Sequence, residues 1–89
     1  MRRQYGPPTS PPPNYIPPKP YNSYIVDCVY QYTYVWLTNG RSFWFYPTSV
    51  QYEGVTGYRW NGRFWTFYGF DPRFIDAVSC PQFLPLTKL

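Results

Sequence analysis

Few residues in this chain could do chemistry, and most of those that could are aromatic. Histidine is absent, which removes the commonest general base and a common metal ligand. The acids are Asp27, Glu53, Asp71 and Asp76. Asp71, just before Pro72, reads as a helix cap, which leaves little for a paired-carboxylate site. Cys28 and Cys80 cannot complete a zinc site by themselves, and no glycine-rich phosphate loop occurs. Catalysis, metal binding and cofactors are therefore not expected. Two fates remain for the cysteines. A disulfide would close a loop of about 52 residues and stabilise by roughly 4 kcal/mol on the chain-entropy account. Two separate buried thiols would suit a cytosolic setting. The disulfide is favoured, because a core this small needs a staple.

Three binding chemistries survive. Trp36, Trp44, Trp60 and Trp65 could offer flat platforms to sugar rings if exposed, although each could equally be core. Arg41, Arg59, Arg63 and Arg73, with the aromatics, could stack and neutralise a single-stranded nucleic acid. The net charge of +4 is sparse for that role. Finally, Tyr5, Tyr15, Ile16, Pro17, Pro18 and Pro20 could anchor an extended proline segment in an aromatic groove, as ligands of SH3-like domains do.

The elements that would position these residues are hairpins. Asn39-Gly40 and Asn61-Gly62, each followed by arginine, stand 22 residues apart between aromatic-rich runs, a spacing that hints at a repeat. Asn-Gly in that setting predicts a two-residue type I′ turn. Such a turn would pair Trp36 with Phe43 and Val35 with Trp44. One face would carry Tyr34, Trp36, Phe43 and Phe45, the other Val35, Leu37, Trp44 and Tyr46. Neither face is polar, so the hairpin should lie between two layers or be covered by a partner chain. In the second hairpin Tyr58 would pair with Trp65 and Thr56 with Phe67. Tyr24–Tyr30 reads as an earlier strand, Pro47 as a strand end, and Gly57 and Gly69 as bulge sites. Asp71-Pro72-Arg73-Phe74 reads as one helical turn and Ile75–Cys80 as a last strand.

That order predicts an all-β fold, a small SH3-like five-stranded barrel or a strongly curved antiparallel sheet. Three segments result: a proline-rich extended arm at 1–21, a small β domain at 22–81 and an apolar C-terminal tail at 82–89. Eight of the first twenty residues are proline, which predicts polyproline II. The 22 aromatics exceed what the interior of a small barrel can hold, so some should form contact surfaces. No apolar run is long enough for a membrane helix. Met1-Arg2-Arg3 is not followed by the apolar core of a signal peptide, so the expectation is a chain made in the cytosol without a recognisable signal peptide, or one whose signal has been removed.

The block from Tyr32 to Pro47, with Tyr58-Arg59-Trp60, Tyr68-Gly69-Phe70-Asp71 and Cys80, resembles a family of short uncharacterised proteins of spore-forming Gram-positive bacteria. These join a Pro/Tyr-rich arm to a Cys-bounded aromatic block. The resemblance implies a spore-coat or cell-surface setting and carries no activity. The expectation is a non-enzymatic structural protein that self-assembles into a filament or coat layer, the arm docking on a neighbouring β domain. Its partners would be further copies of itself, other coat proteins or surface polysaccharide. Carbohydrate or peptidoglycan binding is the alternative, followed by single-stranded nucleic acid. Surface tyrosines could be oxidatively cross-linked in such a layer.

Overall fold

Asn39-Gly40 turns the chain, but through a loop one residue longer than a type I′ hairpin has. In the computed structural model, which describes residues 6–81, strand β1 (Thr33–Leu37) pairs with β2 (Ser42–Gln51) so that Val35 faces Phe43 and Tyr34 faces Trp44. The Gly40 amide donates to the Leu37 carbonyl and the Leu37 amide to the Arg41 carbonyl. Gly40 has φ +90°, whereas Asn39 is not among the residues with positive φ. This is the pattern of a type I turn closed by a left-handed glycine. Asn39 supports it from outside by accepting the Arg41 amide on Oδ1 at 2.9 Å. A one-residue slip moves a whole strand's side chains to the other face. Val35 therefore joins Phe43 and Phe45, and Trp36 joins Trp44, where the type I′ register would have separated them.

The second hairpin, β3 (Gly54–Trp60) with β4 (Trp65–Phe70), pairs Tyr58 with Phe67 and Trp60 with Trp65. It differs from the expected register by two residues, an even slip that leaves both faces as predicted. Gly62, at φ +100°, opens its turn, and Asn61 Oδ1 accepts the amides of Arg63 and Phe64. The two Asn-Gly-Arg sequences thus build different turns.

Pro47 does not end its strand. β2 runs on to Gln51 and hairpins back into β3. The β1 ladder stops at Thr33–Phe45, so Pro47's missing N–H falls beyond the end of β1, where no ladder bond is needed. Its carbonyl accepts the Tyr30 amide at 2.8 Å. Here β2 lies directly on Gly57: a Cβ at that position would sit 2.2 Å from the Tyr46 carbonyl oxygen and 2.8 Å from Pro47 Cα. The irregularities of the sheet fall opposite this glycine, between Pro47 and Ser49, and between β1 and β5 at Trp36/Leu37. None falls at Gly69 between β3 and β4.

Tyr24–Tyr30 is not a strand. Ile25–Cys28 forms a 3-10 turn that buries Ile25 and Cys28. Residues three apart eclipse in a 3-10 turn, so both side chains reach the core, and this burial outweighs the β propensity of the segment. Tyr30 then takes φ +64° to bring the chain into β1. Asp71 caps a second 3-10 turn, Pro72–Phe74, as expected, accepting the Arg73 amide. The Arg73 guanidinium first, and its amide second, hold the Asp71 carboxyl below the usual range.

β5 (Ile75–Ser79) returns to pair antiparallel with β1, completing one five-stranded sheet in the order β4-β3-β2-β1-β5. The fold is all-β, but β4 and β5 remain edges, so the sheet is open rather than a closed barrel. Its core holds Ile25, Val35, Phe43, Phe45, Val55, Val78 and the joined Cys28 and Cys80. The disulfide ties the first 3-10 turn to the residue after β5, so Cys28 lies in a turn rather than in a strand. No helix among the described residues is long and apolar enough to cross a membrane.

Candidate functional site

The register leaves two aromatic layers back to back. Phe43, Phe45, Tyr68 and Phe70 meet edge-on or tilted on the core side, with centroids 5.2–6.5 Å apart. The opposite face carries all four tryptophans. Tyr34 lies 4.9 Å from Trp36 and 5.1 Å from Trp44, Trp60 lies 5.2 Å from Trp65, and Tyr46 lies among Tyr30, Tyr32 and Trp65. Burial raises the Tyr46 phenol above its ordinary pKa, with the Tyr32 and Tyr30 phenols adding to the shift. Tyr34 sits on this second face and is still only 5% exposed. Something must cover it.

Trp36 and Trp44 flank Tyr34 and Ser42 bonds its hydroxyl, while the N-terminal segment runs along the same face. Residues 6–20 form no helix or strand. Tyr32 and Trp65 stack at 5.8 Å with 29° between planes, and both reach the same atom. The Ser10 carbonyl accepts the Trp65 indole N–H at 2.9 Å and the Tyr32 hydroxyl at 3.3 Å. Ser10 immediately precedes Pro11-Pro12-Pro13. Two convergent donors on an aromatic wall grip a backbone carbonyl that no ladder uses, which suits a proline-rich chain. Farther along, Lys19 forms an ion pair with Asp76 on β5, and Ser23 Oγ accepts the Val78 amide at 2.9 Å. The segment is thus held at Ser10 on the aromatic face and at Lys19 and Ser23 along the β5 edge.

Among the expected anchors, Pro17 and Pro20 are half-buried, whereas Tyr15 and Ile16 are largely exposed and Pro18 is exposed. Tyr5 lies outside the described residues, as does the tail 82–89. Sequence reasoning missed Ser10 because the interaction uses its main chain. It also missed Tyr32 and Trp65 as a pair, because they lie in β1's lead-in and in β4. Trp36, Trp44, Trp60 and Trp65 are all half-buried in ring contacts, so none stands alone as an exposed platform. Arg41 and Arg63 are exposed in the hairpin loops. Arg73 is paired with Asp71. Arg59 lies over the Phe43 and Tyr68 rings at 4.4 and 4.9 Å. Among the described residues, no group of His, Cys, Asp and Glu could hold a metal ion. No family model, curated protein or solved structure matches this chain.

Proposed function

We propose that this chain is a non-enzymatic structural protein that assembles by docking its proline arm on the aromatic face of a neighbouring copy, building a filament or layer at a spore or cell surface. The observation that carries the reading is the double grip of Tyr32 and Trp65 on the Ser10 carbonyl. That contact is complementary whichever chain supplies the arm. Exchange conserves every bond, so the balance between own arm and neighbour's arm follows effective concentration. For a tethered segment this is of the order of millimolar, and a packed layer reaches it. The ties at Lys19 and Ser23 make the stretch between Ser10 and Lys19 the pivot for exchange. A head-to-tail contact of this kind propagates into rings or open filaments. The setting rests on the sequence resemblance; the SH3-like character rests on the groove, since the sheet is open.

The test uses a chain lacking residues 1–18 and a synthetic peptide of residues 6–18. Binding of the peptide to the shortened chain, and concentration-dependent oligomers of the full chain by light scattering and electron microscopy, are expected. A full chain that stays monomeric at millimolar concentration, with no peptide binding by the shortened chain, would sink the proposal.

A further inference from the structure

The ladder between β2 and β3 ends at Phe45–Arg59, yet β2 begins three residues earlier at Ser42 and β3 continues to Trp60. The tips of the two hairpins therefore splay, and a cleft of about 770 Å³ opens between them. This is within the size range of small-ligand sites. Trp44 and Trp60 line it, together with Ser42, Asn61 and Thr66, and Pro12–Ile16 form one wall.

Arg59 also lines the cleft, and its state is unusual. The guanidinium is held over two rings, Phe43 and Tyr68, an arrangement that orients the cation and leaves the edge of its donor fork unused. Among the described residues no carboxylate pairs with it: the ion pairs there are Lys19–Asp76 and Arg73–Asp71. Asn61 has its oxygen occupied by the Arg63 and Phe64 amides, so its amide nitrogen is the group it offers. A pre-oriented guanidinium matches a carboxylate in two-pronged fashion. Trp44 and Trp60, which reach the same cleft from the opposite face of the sheet, match the apolar face of a sugar ring, and the small hydroxyl and amide groups match ring hydroxyls. A lone cation does not match the repeating phosphates of a nucleic acid.

We propose that this cleft binds a carboxylated sugar, a uronic-acid unit of an anionic polysaccharide, with Arg59 as the carboxylate receptor on the core-face side of the splayed tips and the half-buried Trp44 and Trp60 as apolar contacts on the other side. The inference is independent of the assembly reading, because the cation and indoles belong to the sheet and the proline wall is the same whichever chain supplies it.

The experiment titrates the full-length oxidised chain with polygalacturonate oligomers and with the same oligomers fully methyl-esterified, followed by tryptophan fluorescence. Binding of the acid form and not of the ester is expected. Arg59→Gln should weaken binding by about tenfold or more, while Arg41→Gln, in the exposed hairpin loop, should leave it unchanged. Wild-type indole N–H resonances of Trp44 and Trp60 should shift on addition of galacturonate and not of glucose, a readout that needs no variant. Absence of those shifts, equal affinity for acid and ester, or equal loss in Arg41→Gln would overturn the proposal. So would tighter binding of an oligonucleotide or of dextran sulfate, since either would mean plain charge attraction.

Discussion

Gly57 and Tyr46 show how single positions answer to their neighbours. Gly57 has an ordinary strand conformation, so its need for glycine is one of space: β2's backbone occupies the volume of a Cβ. Gly57→Ala should destabilise the domain by about 2–4 kcal/mol, since backbone rather than a flexible side chain must move. Gly54→Ala, where the nearest atom lies 3.9 Å away, should change stability by less than about 1 kcal/mol. Paired denaturant melts check both, and equal costs would refute the packing argument. Tyr46 is an acid whose pKa folding raises through burial and then through Tyr32 and Tyr30. The native state therefore holds this proton more tightly than the unfolded chain. Its contribution to stability is complete below the unfolded phenol's pKa and is lost as pH rises through the native one. Absorbance titration at alkaline pH should show a late-ionising tyrosine that disappears in Tyr46→Phe. A profile unchanged by that substitution would contradict the assignment.

At the level of elements, the disulfide is the link between the two ends of the domain. It joins the first 3-10 turn to the end of β5 across 52 positions. Replacing both cysteines by serine should lower stability by about 4 kcal/mol, read as a drop in the denaturation midpoint. A change below about 1 kcal/mol would mean that the sheet holds those ends without the bond. The strands beside the two Asn-Gly turns and the last strand were legible, because aromatic and β-branched runs bounded by Asn-Gly or Asp-Pro have few other solutions. Tyr24–Tyr30, by contrast, has the same composition and forms a 3-10 turn, and β2 runs past Pro47. The register of the first hairpin was not legible. Type I′ and type I with a left-handed glycine both accept Asn-Gly, and they differ by one residue in the loop. Local chemistry barely separates them. The choice is made by Phe43 and Phe45, which reach Val35, Val78 and Ile25 only in the observed register.

For the whole molecule, the question is how 22 aromatics are covered in so short a chain. One layer is core. The other carries the proline segment, gripped at the Ser10 carbonyl by Tyr32 and Trp65. Trp65→Phe keeps the stack on Tyr32 and removes the indole donor; Tyr32→Phe removes the second. Together they should free the segment around Ser10, raising its rate of limited proteolysis by about tenfold or more, at about 1 kcal/mol per hydrogen bond, while the disulfide-linked sheet stays folded by circular dichroism. Protection unchanged in the double variant would show that the carbonyl grip is not what holds the segment. Tyr21 and Tyr52, at 99% and 94% exposure, remain outside both layers.

The amino-acid sequence by itself determined the β class, the hairpin positions, the capped turn at Asp71 and the apolar character of both faces of the first hairpin, and it favoured the joining of Cys28 and Cys80 that the structure shows. These follow from backbone preference, alternation and composition, which act over a few residues. Only the tertiary structure decided which face is inside, that the sheet stays open, and that a main-chain carbonyl at Ser10 is what Tyr32 and Trp65 grasp. Those outcomes depend on contacts between segments 22 and 55 residues apart, where burial of a shared core, rather than any local preference, selects among registers of nearly equal local energy.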